Sequence, residues 1–196
     1  MSRSTKIAAI KERLRASTGQ KLAQLTDNER AWAAAEACTR MAATKEWREA
    51  QTILAFAPMS SEINIWPLLV EAVTTGIQLA LPRYERQSGT YTVCVVPSLE
   101  DLQPGCFGIR EPGPLCVTLE TKLLDLILVP GVAFDLTGRR LGRGKGFYDR
   151  LLETWHGVTC GVAYDEQIVG EVPVESHDVQ LDCILTPTRF VRTRGP

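Results

Sequence analysis

Apolar and polar positions follow two different periods along the chain. Near the start, Ile7, Ile10 and Leu14 fall at i, i+3 and i+7, the spacing of one helix face. Thr26-Asp27-Asn28-Glu29 has the capping-box form, in which Thr and Glu satisfy each other's backbone N–H groups. It predicts a second helix with Trp32, Ala35, Cys38 and Ala42 as its packing stripe. Residues 52–57 (TILAFA) predict a strand ended by Pro58. Ser60 or Ser61 stands where it can cap the next helix, whose inward face is Ile65, Leu68, Leu69 and Ala72, and Gly76 stops that helix. Residues 77–81 predict a strand ended by Pro82, and residues 91–96 one that pairs antiparallel nearby. Strand, helix, strand in this order implies a right-handed crossover and a parallel pair.

Further along, residues 106–114 (CFGIREPGP) hold too many glycines and prolines for regular structure, so a loop is expected there. Leu126-Ile127-Leu128-Val129 is apolar throughout and too short for a helix. It reads as a strand buried on both faces, ended by Pro130-Gly131. A loop follows, and Gly142-x-Gly144-x-Gly146 leads into a helix with Phe147, Leu151 and Trp155 on its buried face. Residues 159–164 and 183–186 are further strands, and 189–196 a polar, frayed tail. There is no internal repeat and no low-complexity linker. The expectation is one domain over residues 1–196, α/β in three layers (α/β/α), with a mostly parallel or mixed central sheet and ligands at the C-terminal strand ends.

Composition narrows the function classes. A net charge of −1 gives no global basic field to draw the chain to nucleic acid or a membrane surface. Six cysteines contain no Cys-x-x-Cys pair and there are two histidines, which argues against a zinc site and against a disulfide scaffold. The first residues do not have the form of a signal peptide, and no uncharged apolar run approaches the roughly 18 residues of a membrane span. A soluble, reducing, cytoplasmic setting is expected.

The basic residues are concentrated locally. Arg139, Arg140, Arg143, Lys145 and Arg150 surround the glycines against one acid, Asp149. Strand, glycine loop and helix is the arrangement that offers backbone N–H groups to a phosphate. The spacing is neither of the two common nucleotide loops. Gly146 stands where a Walker loop needs Ser or Thr after Gly144-Lys145, and the third glycine of Gly-x-Gly-x-x-Gly is absent from its register. An arginine-rich surface loop with glycines serving turns is the alternative. Lys11 and Arg15 lie one helical turn apart and project from a single face, as a polyphosphate clamp or as a solvated basic face. Glu62 falls in the turn before a helix, where an acid is favourable in its own right.

At this point a resemblance becomes specific. VPGVAFDLTGRRLGRGKGFYDRLL resembles the signature of the 5-formyltetrahydrofolate cyclo-ligase family, also called methenyltetrahydrofolate synthetases. Lys11-Glu12-Arg13-Leu14-Arg15 is similar to the family's Lys-x-x-Leu-Arg. Glu166-Gln167, Val172-Pro173-Val174 and Asp178 follow the family's later order, so the likeness spans most of residues 11–186. One departure is Phe147, where many members carry Tyr; Lys145 is Gly in many members and Lys in others.

The resemblance implies an α/β fold and a reaction: 5-formyltetrahydrofolate plus ATP gives 5,10-methenyltetrahydrofolate, ADP and phosphate. It implies that Lys11, Arg15, Arg140, Leu141, Gly142, Arg143, Gly144, Lys145, Gly146, Phe147 and Tyr148 bind ATP. Ala57, Glu62 and Phe107, with Arg143, Gly144, Lys145, Gly146 and Phe147, would bind the folate, Glu62 through the pterin's N–H edge. Arg143 and Lys145 would be the catalytic pair, and Asp149 and Asp178 the ligands of Mg²⁺. Asp135 is expected to position the loop instead of touching the metal. Partners are then small molecules, 5-formyltetrahydrofolate and MgATP, with no nucleic acid or membrane, and a monomer is expected. Two rival classes stay open, another α/β phosphate enzyme with a general base and no ATP, and a non-catalytic nucleotide or folate-binding module. Formation of the methenyl-folate absorbance band with and without MgATP discriminates among them.

Overall fold

The computed structural model describes residues 3–144, 146–152, 155, 157–175 and 178–193. In chain order its elements are α1 (Arg3–Ala23), α2 (Asp27–Ala42), α3 (Lys45–Glu49), β1 (Thr52–Leu54), α4 (Trp66–Thr75), β2 (Gln78–Glu85), β3 (Thr90–Val95), β4 (Leu102–Pro104) and β5 (Arg110–Pro112). Then come β6 (Leu126–Val129), β7 (Ala133–Phe134), β8 (Arg140–Leu141), α5 (Phe147–Leu152), β9 (Val158–Val162), β10 (Cys183–Leu185) and β11 (Phe190–Arg192).

A seven-stranded sheet in the order β11-β10-β9-β6-β1-β2-β3 forms the middle layer. β10, β9, β6, β1 and β2 run parallel to their neighbours. β3 and β11 pair antiparallel at the two edges. The expected mostly parallel α/β sheet is therefore present. Strand side chains alternate between faces, and each face builds its own core. Leu126 and Leu128 join Ile53, Leu79 and Leu81 against Ala37, Cys38 and Met41 of α2, Trp47 of α3 and Leu68, Leu69 and Ala72 of α4. Ile127 and Val129 join Leu54, Ala80 and Ile184 against Phe134, Tyr148, Leu152 and Trp155. β6 is thus buried on both faces, as its uniform apolar run predicts.

The capping box opens α2 with both of its hydrogen bonds. The stripe of that helix differs from expectation. Ala33, Ala34, Ala37, Cys38 and Met41 are buried, whereas Ala35 is exposed and Trp32 is 55% exposed. Small side chains let the helix approach the sheet, and the bulky Trp32 is left on the solvent side. In α1, Ile10 is 46% exposed, and the inward line is Leu14, Thr18 and Leu22, at i, i+4 and i+8.

Other boundaries also move. β2 runs through Pro82, which is paired in register with Val93. Leu79 accepts from Val96 on the β3 side and Ala80 from Ala55 on the β1 side. Pro82 is in phase with Ala80, so its missing N–H faces the side where β1 has already ended, and no ladder bond is lost. α4 is not capped by Ser60 or Ser61; Asn64 accepts from the Trp66 amide, and Gly76 closes the helix at φ +83°. Residues 106–114, expected to be an irregular loop, instead supply the turn and the second strand of a hairpin, β4 with β5. The segment after Pro130-Gly131 is a second hairpin, β7 with β8. Its turn is closed by the buried Asp135, whose Oδ1 accepts from the amides of Thr137 and Arg139 while Oδ2 accepts from Val172. Asp135 therefore positions the loop, as expected. α5 ends at Leu152, so Trp155 lies beyond it but is buried in the same cluster; Tyr148 and Leu152 are the buried residues of the helix, with the expected Leu151 partly buried against them. Part of the expected frayed tail is the edge strand β11, held by Arg192 on Glu46.

From β1 the chain moves to β2 on one side and returns to β6 on the other, so the strand order reverses between β1 and β6. Ligands in open α/β sheets sit outside the carboxyl ends of strands at such a point. The packing assignment of α2 predicts that Met41→Ala lowers stability by about 2–5 kcal/mol, while Trp32→Ala changes it by less than about 0.5 kcal/mol. Urea denaturation of both variants checks this, and the opposite ranking would contradict it.

Candidate functional site

A cleft of about 290 Å³ opens at the carboxyl ends of β1 and β6. One wall is Phe56, Ala57, Met59 and Glu62, which follow β1. The floor is Pro130 and Gly131, which follow β6. The glycine-loop side supplies Arg140, Gly142, Arg143, Gly146, Tyr148 and Asp149, and the hairpin side Pro82, Tyr91, Ile109, Arg110 and Glu111. Four chain segments distant in sequence therefore meet around one space.

The glycine loop is shaped by backbone needs. Gly144 and Gly146 have φ of +91° and +61°, a left-handed region where an L side chain is strained. Gly142 serves a different need, because a Cβ there would come within 2.8 Å of Arg140 Nη1. The Arg140 side chain is only 5% exposed. Its Nη2 donates to Asp149 Oδ1 at 2.5 Å, its Nη1 to the Pro130 carbonyl, and its guanidinium lies 5.7 Å from the Tyr148 ring centre. Gln167, also buried, donates to the carbonyls of Gly131 and Val132 and so pins the floor. With six residues, α5 contributes little of a helix dipole, so charge and loop amides dominate any attraction for anions.

The amino-terminal helix docks beside this loop. Leu14 packs against Ala133 and Leu141 of the β7–β8 hairpin and against Val172. One residue on, Arg15 Nε donates to the Gly142 carbonyl at 3.2 Å. A Cβ placed on Gly144 would lie 3.7 Å from Arg15 Nη2. Lys11 Nζ meets Glu175 Oε2 at 2.9 Å and Asp178 Oδ2 at 3.0 Å. Burial pushes Lys11 down, but the hydrogen bonds and charges of those two carboxylates outweigh it and leave Lys11 above its ordinary value. Lys11, Arg15, Leu141, Gly144 and Asp178 do not line the cleft itself; they form its outer rim or its support. Leu141 in particular is a buried packing residue of β8.

Across the cleft, Glu62 is held in a tight turn. Its amide donates to the Met59 carbonyl and its Oε2 accepts from the Met59 amide at 3.0 Å. Tyr164 donates its hydroxyl to the Glu62 carbonyl, and Arg30 donates to the Ser60 carbonyl. The Glu62 side chain is 9% exposed, and Arg143 Nη2 reaches its Oε1 at 3.3 Å. Burial raises the Glu62 carboxyl above the usual carboxylate range, while the Met59 amide and Arg143 pull it partly back. Tyr148, buried between Arg140 and the core, is pushed far above the ordinary phenol value by burial first and by the Glu62 charge second. It stays a hydroxyl at neutral pH.

The two expected metal ligands each meet a cation, Asp149 on Arg140 and Asp178 on Lys11. Among the described residues no group of three or more His, Cys, Asp or Glu side chains gathers. Lys145 lies outside the described residues, as do the side chains of Phe107 and Phe147. Arg83 turns to a second cleft beside β4 and β5, bonded to Glu85 and to the Gly113 carbonyl. Sequence reasoning passed over Met59, Pro82, Tyr91, Arg110 and Glu111. The last two stand in the glycine- and proline-rich stretch already marked as a loop that can carry ligand contacts.

A model of the family described as the 5-formyltetrahydrofolate cyclo-ligase family matches residues 7–187. The chain is 31% identical over 191 residues to the 5-formyltetrahydrofolate cyclo-ligase of Mus musculus, covering 91% of this chain and 94% of that one. It is 33% identical over 159 residues to that of Escherichia coli (strain K12), covering 79% and 87%. The NMR structure of Aquifex aeolicus 5,10-methenyltetrahydrofolate synthetase superimposes with a TM-score of 0.86 at 32% identity, over 95% of this chain and 94% of that one.

The environment of Glu62 makes a direct prediction. Its titration by carboxyl-detected NMR has a midpoint above that of an exposed glutamate, and Arg143→Ala moves the midpoint further up. Because the folded value lies above the unfolded one, ionising Glu62 costs stability as pH rises through that window, and Glu62→Gln removes that pH dependence. A midpoint at or below the exposed value would contradict the burial argument.

Proposed function

The chain belongs to the 5-formyltetrahydrofolate cyclo-ligase family of enzymes, and on that premise we propose that it uses MgATP to close 5-formyltetrahydrofolate to 5,10-methenyltetrahydrofolate. The observation that carries the reading is the contact of Arg15 with the Gly142 carbonyl, which brings the basic face of α1 to the glycine loop at the mouth of a cleft holding Glu62. Small molecules are its partners, and the cytoplasm its compartment. Among the described residues no helix is long and apolar enough to cross a membrane.

The chemistry follows from what the formyl group lacks. Its oxygen is a poor leaving group. Transfer of the γ-phosphoryl group forms a bond from that oxygen to phosphorus and breaks the bond to ADP. The N10 lone pair then attacks the activated carbon, the carbon–oxygen bond breaks, phosphate departs and the N10 proton is lost to phosphate or water. Phosphoryl transfer asks mainly for orientation and for charge neutralisation. Arg15, Arg140, Arg143 and the amides of Gly142, Gly144 and Gly146 supply the latter, with Lys11 and Lys145. Ionised Glu62 accepts N–H bonds from the pterin edge, and Arg143, already on Glu62, lies between pterin and phosphates. The raised Glu62 carboxyl is therefore returned toward its usual range when a donor edge binds.

Mg²⁺ suits the donors present, because it keeps waters and takes one or two carboxylates together with substrate phosphates. Asp149 in the cleft and Asp178 on the rim would hold it, and it would offset charge on the phosphates. In the free protein Arg140 and Lys11 keep these carboxylates in place.

The experiment is the methenyl-folate absorbance on adding 5-formyltetrahydrofolate with and without MgATP. A rise only with MgATP is expected; no rise would remove the reading. Lys11→Ala and Arg143→Ala are each expected to raise KM for MgATP about tenfold or more, the loss of a charge-assisted contact. Asp149→Asn is expected to raise the Mg²⁺ concentration needed for half-maximal rate. Unchanged ATP and metal titrations in these variants would count against the assignments.

A further inference from the structure

The charges in the cleft do not balance evenly along its length. Arg140 is matched by Asp149 and Arg143 by Glu62. Arg110, on the β5 side, has no carboxylate within ion-pair distance among the described residues. It is nevertheless held in one place, with Nη2 donating to the Leu99 carbonyl at 2.8 Å and Cζ 5.3 Å from the Trp66 ring centre. A guanidinium has five N–H donors in a rigid fork, and one of these, on Nη2, is engaged in a hydrogen bond among the described residues. Its neighbour Glu111 is a carboxylate in the same cleft, but the Cys106 and Tyr84 amides bind its two oxygens. Pro82, Tyr91 and Ile109 line the same cleft as Arg110, and their apolar and aromatic surfaces suit a flat aromatic ring.

We propose that Arg110 receives a carboxylate of the substrate's glutamate, with the benzoyl ring along Pro82, Tyr91 and Ile109. This inference rests on the folate reading above. With the pterin at Glu62 and the phosphates at the glycine loop, the hairpin side is the wall left for the rest of the folate. Arginine binds a carboxylate through two parallel N–H bonds, and stacking on Trp66 sets the fork at low entropy cost.

The test compares 5-formyltetrahydrofolate with 5-formyltetrahydropteroate, which has the same pterin and benzoyl groups but no glutamate. KM is measured for both at saturating MgATP in the wild type, Arg110→Gln and Arg110→Lys; for a substrate analogue not turned over, its competitive inhibition constant serves instead. Arg110→Gln is expected to raise KM for the folate about tenfold and not that for the pteroate, with partial recovery in Arg110→Lys. The difference should shrink with added salt, because Arg110 is exposed. Equal rises for both substrates would overturn the proposal and assign Arg110 to packing of the hairpin on Trp66; no rise for either would overturn it as well. A wild type that makes no methenyl product from either substrate would show that the folate reading had failed, and this inference with it.

Discussion

Leu14 of α1 is half-buried against Leu141 and Ala133 of a hairpin more than a hundred residues later in the chain. Its neighbour Arg15 donates to a glycine-loop carbonyl just past that hairpin. The apolar contact fixes where the helix lies, and the helical pitch then fixes where Lys11 and Arg15 point. Without it, the amino-terminal cations and the glycine loop would be two unrelated basic segments. With it, they border a single space.

The second constraint is the handling of charge before any substrate arrives. Among the described residues, basic groups near the cleft's chemical end are already met by acids: Arg140 by Asp149, Arg143 by Glu62, Arg15 by Glu12, and Lys11 by Glu175 and Asp178. Buried or half-buried cations would repel one another without such partners, and breaking a buried pair is costly. Glu62 is the member with the least comfortable setting, since burial outweighs its partners. A site arranged this way is stable when empty and gains when a ligand supplies the donors that Glu62 lacks.

Much of this was legible in the sequence. The apolar run of β6, the capping box of α2, the glycine stop of α4 and the parallel crossover follow from local rules, and each is present. Lys11, Arg15, Glu62 and the glycine loop were singled out and do converge on one region. What was misread has physical causes. α2 is rich in alanine, so its contrast is low and Trp32 dominates the pattern although it faces solvent. Pro82 ends strands as a rule, but not where its nitrogen faces an absent neighbour. The β7–β8 hairpin is two residues per strand and depends on the Asp135 turn, which no periodicity reveals. Arg110 and Glu111 enter the cleft because a loop read as irregular is a hairpin.

The central claim is that α1 and the glycine loop together hold one triphosphate. The position of a non-hydrolysable ATP analogue in a crystal of the protein with 5-formyltetrahydrofolate tests it most directly. The account predicts phosphate oxygens within hydrogen-bond distance of Arg15 and of the loop amides between Gly142 and Gly146, with the terminal phosphate facing the formyl oxygen. A nucleotide bound elsewhere, leaving Lys11 on its two carboxylates and Arg15 on the Gly142 carbonyl, would contradict it.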